Sequence, residues 1–293
     1  MIRMLLFLLT NLAVISILCI ISFLIGIKNH NIFIFIISTF IFGFGGSFLS
    51  LILSKKIALL STGATIIKNP NNKTEEWLCK VIKKQSKKLN IKTPDLIIYD
   101  SKNINAFATG ATKNSSLIAL SNELLNCMKK NEIKAVIAHE MTHISNGDMV
   151  TMTLLQGIVN TFVIFLSRAI VYLLNNFFSD NKNNRLFFAR NGIINLILTL
   201  FLEILFGTLA SCITMWFSRK REFYADAGSA KIVGVKNMIS ALKTLDIQKD
   251  IFKEKEYISA LCINGKNKSF LRLFMSHPTI KNRIKALNKK IYM

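Results

Sequence analysis

The segment AHEMTHISNGD, residues 138–148, carries two histidines four residues apart, with a glutamate directly after the first. In a helix the side-chain direction advances by about 100° per residue, so His139 and His143 share one face, one turn apart. Two neutral imidazoles in this arrangement can bind zinc, and Glu140 between them can accept a proton from metal-bound water. By itself, the HExxH pattern is equally compatible with two solvated histidines on a half-polar helix.

A catalytic zinc site needs three protein ligands and one open position for water. Glu222 and Asp226 lie four residues apart in REFYADA, far behind the HExxH segment. We interpret Glu222 as the oxygen ligand and Asp226 as the acceptor of a hydrogen bond from a ligand histidine, with His139 the expected donor by analogy with other zinc peptidases. The alternative is a charged helix leaving the membrane, with the basic residues 219–221 at the interface.

The elements that position these residues belong to a membrane protein. Of the 293 residues, 51% are hydrophobic, and the mean hydropathy of +0.40 is too high for a soluble globular protein. Uncharged runs at 4–27 and 32–53 are long enough to cross a hydrocarbon core of about 30 Å, and the first is too long for a cleaved signal. Two further runs, 150–178 and 192–217, each contain one charged residue. We therefore predict a mainly α-helical membrane protein with about four transmembrane helices in two hairpins.

Charge and cysteine content indicate the compartment. The net charge is +22, but the lysines are spread over the polar regions without aromatic interleaving or a nucleic-acid-binding motif, so we predict no nucleic-acid partner. Residues 55–134 and the tail from 219 hold most of the lysine and arginine, which by the positive-inside rule places both regions and the N-terminus in the cytoplasm. The five scattered cysteines indicate reduced thiols.

Local patterns predict a mixed polar region around the active helix. TEEWLCKVIKKQSKKLN predicts a helix capped by Thr74, and DLIIY and SSLIALS predict short strands on either side of the polar connection NINAFATG. Ser121 is the expected cap of the helix in SNELLNCM. In NEIKAVIAHEMTHISNG, apolar residues at helical spacing predict a helix that Asn131 caps and Gly147 ends.

We divide the chain into four regions on these grounds. They are an N-terminal transmembrane hairpin (1–54), a cytoplasmic catalytic region with the HExxH helix (55–149), a second membrane hairpin (150–217), and a cytoplasmic catalytic region with the ExxxD helix and the C-terminal tail (218–293).

The motifs HEMTHISNGDMVTMTL, SRKREFYAD, NAFATG and SHPTIKNRI, in this order, resemble those of the HtpX family of membrane-bound zinc metalloproteases, which is related to the CAAX prenyl proteases. The resemblance implies a bacterial inner-membrane endopeptidase with a gluzincin-like α+β catalytic domain in the cytoplasm and one zinc ion per chain. It implies unfolded or damaged membrane proteins as substrates in protein quality control, a lipid environment, and is compatible with a homo-oligomer.

The same resemblance suggests roles for residues outside the metal site. His277 is expected to stabilise the tetrahedral intermediate opposite the metal, with Arg283 in support, although a histidine before a proline can also simply order a loop. Asn105 and Ala106 are similar to a substrate-holding asparagine–alanine segment, in which an exposed edge strand would bind an extended peptide. A purely structural hairpin is the alternative for this segment.

Two other functions compete with this one. A non-enzymatic membrane chaperone or scaffold would keep a vestigial metal site, although the complete ligand set with its base argues against that. A protease that cleaves inside the membrane would bury the HExxH helix in a span, and the polar residues Glu132, Lys134, Asn146 and Asp148 around this helix argue against such burial.

Overall fold

A computed structural model describes residues 32–179, 192–257 and 277–292. The described residues divide into two compact units, one from 32–50, 152–179 and 192–214 and the other from 51–151, 215–257 and 277–292. The predicted membrane run at 4–27 lies outside the described residues. The elements, in chain order, are α1 Ile32–Thr62, α2 Lys73–Leu89, β1 Asp95–Tyr99, β2 Ala106–Thr112, β3 Ser115–Ser121, α3 Asn122–Cys127, α4 Lys130–Asn146, α5 Asp148–Ser179, α6 Gly192–Val233, α7 Val235–Tyr257 and α8 Ile280–Asn288.

Three of these helices are long and apolar enough to cross a membrane, within the part of the chain that is described: residues Ile36–Thr62 of α1, Asp148–Asn175 of α5 and Gly192–Val233 of α6. They contain the predicted runs 32–53, 150–178 and 192–217, which therefore form helices as expected. Helix α6 has 42 residues in all. It extends well past the end of its apolar run and carries the ExxxD motif in its final turns.

Small residues bring α1 and α5 together in the first unit. A Cβ atom added at Gly43 would lie 2.7 Å from the Cα of Thr161, and one added at Gly157 would lie 2.6 Å from the ring of Phe44. Such close backbone approach is how apolar helices associate in lipid, where burial alone gives little gain. The one charged residue in the apolar run 150–178 also has a partner within the protein, since Arg168 of α5 donates to the Oγ1 of Thr39 in α1, at 3.5 Å.

The second unit contains a three-stranded sheet of order β1-β3-β2, in which β3 is central, parallel to β1 and antiparallel to β2. Both predicted strands are confirmed. The segment that the local pattern predicts as a connection forms an edge strand over Ala106–Thr112, as the family resemblance implies. Gly110 of β2 lies directly against β3. Its φ of 141° is a conformation that side chains disfavour, and an added Cβ would lie 2.2 Å from the backbone oxygen of Ser115, so this position requires glycine.

The active helix α4 packs its apolar face into the core of this unit, as its spacing predicts. Ile133, Ile137, Met141 and Ile144 are all buried. Its end is also as predicted, because Gly147 adopts the left-handed conformation with φ of 66° and caps the last turn.

The start of α4 differs from the prediction, as does that of α2. Asn131 is not the cap of α4: the cap is Lys129, two residues earlier, and the Glu132 carboxylate accepts from the backbone N–H of Lys129, at 2.9 Å. Thr74 is not the cap of α2 either, because the side chain of Asn72 accepts from the Glu75 N–H, at 2.8 Å. In both cases a nearby side chain satisfies the free backbone donors first. The cap expected at Ser121 is confirmed, for α3.

Glu132 corrects one argument from the sequence. Its charge argues in the sequence against burial of α4 in a membrane span, but the residue is buried inside the protein, where it accepts hydrogen bonds from Ser240 Oγ at 2.6 Å and Thr244 Oγ1 at 3.1 Å. Asp148 is likewise buried. These two carboxylates are therefore stabilised by partners inside the protein, and they carry no information on exposure to water.

Candidate metal centre

Close packing of α4 against α6 brings the two halves of the motif together. Gly228 on α6 faces Thr142 on α4, and a Cβ added at Gly228 would lie 2.3 Å from the Thr142 methyl group. Next to it, Ser229 Oγ donates to the backbone oxygen of Ala135, at 2.7 Å. The absence of a side chain at 228 thus allows the helices to approach until Glu222 reaches the two histidines.

The three predicted ligands converge on one point. The Nε2 atoms of His139 and His143 lie 3.2 Å apart, and the Glu222 carboxylate oxygens lie 3.6 Å from the first and 3.5 Å from the second. Ligands about 2.0 to 2.1 Å from a tetrahedral metal ion are roughly 3.3 Å from one another, so this spacing fits a single ion. All three side chains are largely withdrawn from water, and among the described residues they form a cluster with metal-ligand geometry.

The protonation of the two rings supports the same conclusion. His143 Nδ1 lies 2.7 Å from the Asp148 carboxylate, and His139 Nδ1 lies 3.0 Å from that of Asp226. A carboxylate only accepts hydrogen bonds, so in the neutral rings these contacts favour the tautomer in which Nδ1 carries the proton and Nε2 exposes its lone pair. Two lone pairs facing each other at 3.2 Å repel unless a cation lies between them. The donor set therefore fits a bound metal ion.

Burial and charge shape the titration of these groups. Burial alone would lower the pKa of His139, but its contacts with Asp226 and Glu222 outweigh burial and raise the pKa above its ordinary value. The pKa of His143 is raised in the same sense, against burial, by Glu222 and Glu140. Burial raises the pKa of Glu140 itself, which moves this carboxylate toward the range of a general base near neutral pH.

Two arginines hold the carboxylates that contact the histidines. Arg283 donates from Nε and Nη2 to the two Asp226 oxygens, at 2.7 and 2.6 Å, and its Nη1 lies 3.1 Å from Glu222 Oε2. Arg221 forms an ion pair with Asp148 through Nη2. Arg221 is therefore part of the site, whereas the alternative interpretation of the sequence placed it among interfacial anchors.

Sequence reasoning found Asp226 as a histidine partner and missed Asp148. The available signal was its position, five residues after His143 and directly after the glycine that ends α4. Only the fold pairs it with Arg221, which lies 73 residues further along the chain.

His277 also lies at the site. Its Nδ1 is 2.9 Å from Glu222 Oε2, while 58% of its side chain is exposed. It lines a cleft of about 720 Å³ together with Trp216, Phe223 and Tyr292. A histidine with one edge on the ligand glutamate and the other toward an open cleft is suitably placed to meet a bound substrate.

Asn105 and Ala106 lie at the start of the edge strand. The Asn105 N–H donates to Ser121 Oγ and its carbonyl accepts from the Ser121 N–H, both at 3.0 Å, while Ala106 pairs with Leu120 across the sheet. These contacts fix the backbone of the segment. The role of the two residues in substrate binding stays a prediction.

Comparison with known proteins identifies the family. Residues 72–291 match the model of peptidase family M48. The chain is 57% identical to protease HtpX of Wigglesworthia glossinidia brevipalpis, over 100% of this chain and 99% of that protein, and 48% identical to protease HtpX of Yersinia enterocolitica, over 100% of both. The crystal structure of S. mikatae Ste24p is similar in fold, with a TM-score of 0.62 at 21% identity over 98% of this chain and 66% of that one.

The family agrees with the geometry. The described residues are mostly helical, include three apolar helices, and are similar in fold to Ste24p. The resemblance seen in the motifs is confirmed over the full length of the chain. The chain therefore belongs to peptidase family M48 and is a metalloprotease.

Proposed function

We propose that the chain is a zinc-dependent endopeptidase that binds one zinc ion through His139, His143 and Glu222. The observation that carries this proposal is the separation of the three ligand atoms, 3.2 to 3.6 Å, in a largely buried site. Two imidazoles and one carboxylate are a common ligand set for catalytic zinc, and they leave a fourth position open. When bound, the metal supplies a water of lowered pKa and a polarised scissile carbonyl.

The remaining residues then divide the proton transfer and the charge. Glu140 takes the proton from the attacking water and passes it to the departing amine, so that no covalent intermediate is required. His277, whose exposed edge faces the cleft, donates to the oxygen on which negative charge develops. Arg283 supports it by fixing Asp226 and, through Nη1, the ligand carboxylate. Asp226 in turn holds the His139 ring in the tautomer that a metal requires.

Substrate binding is assigned to the edge strand β2, with Asn105 and Ala106 at its start. An extended peptide that adds to this edge would be held by backbone hydrogen bonds, in the manner of other peptide-binding sheets. The packing of β2 against the core beside α4 supports this choice, since Ala106 and Ala108 contact the apolar cluster that contains Val136 and Ile137.

The cellular setting follows from charge and from the family resemblance. We propose four membrane-spanning helices, including the run at 4–27, with the catalytic regions 55–149 and 218–293 in the bacterial cytoplasm and the spans in the inner membrane. Damaged or unfolded membrane proteins are the proposed substrates, and lipid and a second copy of the chain are the proposed surroundings.

The test is zinc content combined with proteolysis. The full chain is purified in detergent, zinc per chain is measured, and cleavage of an unfolded substrate such as casein is followed. Glu140→Gln should keep zinc and lose nearly all cleavage, because an amide cannot accept the proton. Cleavage near the parent level with zinc retained would remove Glu140 from the mechanism, and a parent without bound zinc would refute the proposed metal.

A further inference from the structure

Each metal-facing histidine is backed by its own carboxylate and its own arginine. His139 contacts Asp226, to which Arg283 donates two hydrogen bonds. His143 contacts Asp148, which forms an ion pair with Arg221. The first set of contacts contains the aspartate of the ExxxD motif. The second set uses an aspartate and an arginine that lie outside the HExxH and ExxxD motifs.

The contacts of His143 with Asp148 and of Asp148 with Arg221 are tightly enclosed. Only 8% of the Asp148 side chain and 18% of the Arg221 side chain are exposed, so the pair is largely shielded from water. Asp148 is the first residue of α5, separated from α4 only by Gly147, and Arg221 directly precedes the ligand Glu222 on α6. The pair thus contacts both metal-binding helices at the level of the ligands.

We propose that Asp148 and Arg221 are positioning residues of the metal centre. Asp148 accepts a hydrogen bond from the Nδ1–H of His143, which fixes the tautomer and directs Nε2 toward His139 and Glu222. Arg221 fixes the Asp148 carboxylate and offsets its buried charge. The inference rests on the proposed metal site and deepens it, since it makes the two motifs insufficient for full affinity.

A purely structural role for Asp148 is the competing explanation. An acidic residue in the first turn stabilises a helix by its charge, and α5 begins at Asp148. Asp148→Asn keeps the size and shape of the side chain, and the loss of its charge costs the helix only a small part of its stability but removes the charge that holds the imidazole proton. A loss of metal in that variant, with an unchanged fold, separates the two roles.

The experiment measures zinc affinity of the detergent-purified full chain by competition with a chromophoric chelator, in a Glu140→Gln background that prevents proteolysis. Asp148→Asn should weaken zinc binding by about 10 to 100 fold, the usual effect of losing a partner of a ligand. Arg221→Gln should weaken zinc binding less. The double variant should bind zinc about as tightly as Asp148→Asn does, because both changes disrupt the same set of contacts. Asp100→Asn and Lys231→Gln, on the surface, are the matched controls.

Cobalt in place of zinc gives a second measurement. Its visible spectrum reports the geometry of the ligands, so it should change in Asp148→Asn and stay as in the parent in both controls. If Asp148→Asn does not fold, Arg221→Lys and Arg221→Gln decide, since the lysine keeps the positive charge and should retain more of the affinity. The inference would be overturned if Asp148→Asn had the zinc affinity and the cobalt spectrum of the parent. If Asp148→Asn does not fold, equal zinc affinities of Arg221→Lys and Arg221→Gln would overturn it. A parent without metal would instead refute the proposed function.

Discussion

The close approach of α4 to α6 depends on the absence of a side chain at Gly228. Adding a methyl group at this position tests how the site is built. In Gly228→Ala, the new Cβ would lie 2.3 Å from Thr142 Cγ2 and 2.7 Å from its Oγ1, whereas carbon atoms normally meet at about 3.5 to 4.0 Å. Thr142 is buried, and its hydroxyl donates to the Ala138 oxygen at 2.7 Å, so the side chain has little freedom to turn away. The helices must therefore move apart.

The magnitude follows from the size of the overlap. Adding one methyl group to a close-packed contact costs about 1 to 3 kcal/mol. Because Glu222 lies on one helix and both histidines lie on the other, the same separation pulls the ligands apart. If this strain falls on the metal-bound state, it corresponds to roughly a 5 to 150 fold loss of zinc affinity at about 1.4 kcal/mol for each factor of ten. We expect Gly228→Ala to lose both stability and zinc.

The assay is chelator competition for zinc together with denaturant unfolding of the detergent-purified chain. Gly207→Ala on the same helix is the control, since no atom lies within 4 Å of its new Cβ, and it should keep the parent values. Thr142→Ala removes the two nearest atoms and leaves only the Cβ at 3.1 Å, so it should restore most of the loss in the double variant. Parent-like zinc affinity in Gly228→Ala, or a double variant no better than the single one, would refute the reasoning.

Three further predictions concern the ligands, the core and the topology. Glu222→Ala should lower bound zinc and cleavage, whereas Glu203→Ala in the apolar run should keep zinc; equal zinc retention in both variants would move the third ligand elsewhere. Burial would raise the pKa of Glu132, but its hydrogen bonds hold the pKa below the ordinary value of about 4.3, so its stabilisation is full above that pH and is lost as the pH falls through the lower folded value. The unfolding free energy of the parent should therefore fall more steeply on acidification below about pH 4.3 than that of Glu132→Gln, and parallel curves would contradict this. A reporter active only outside the cytoplasm should be silent when fused at Lys88 or at Lys255, and a signal at one site alone would imply an odd number of spans between them.

What the sequence predicts well is what local periodicity and ligand chemistry determine. The convergence of His139 and His143 follows from helical geometry alone, and the need for a third ligand makes Glu222 a candidate despite its distance along the chain. The buried face of α4 and its end at Gly147 follow in the same way. These features depend on neighbouring residues or on the requirements of one metal ion.

What the sequence predicts poorly depends on tertiary contacts or on small competing energies. The side chain of Asn131 predicts the cap of α4, but the Glu132 carboxylate accepts from the N–H of Lys129, and the cap lies two residues earlier, at Lys129. The local pattern of AFATGAT predicts a connection, and only the family resemblance implies an edge strand there, because Gly and Ala make up most of the segment and weaken the strand signal. Its pairing with β3 stabilises the strand. The pair of Asp148 and Arg221 was missed because no local pattern connects them.

The composition of β2 has a consequence for the selectivity of the enzyme. Ala106 and Ala108 pack inward, and Phe107 packs against Tyr99, so the free edge offers a partner mainly backbone N–H and C=O groups. A peptide docked there would be recognised by groups that every sequence has, provided that it is extended. Folded proteins must open locally before they can bind in this way, and each 1.4 kcal/mol of local stability reduces the open population about tenfold. The rate of cleavage would then depend on how often a segment of the substrate unfolds rather than on which residues it contains, and binding at the edge strand would select substrates by their local instability.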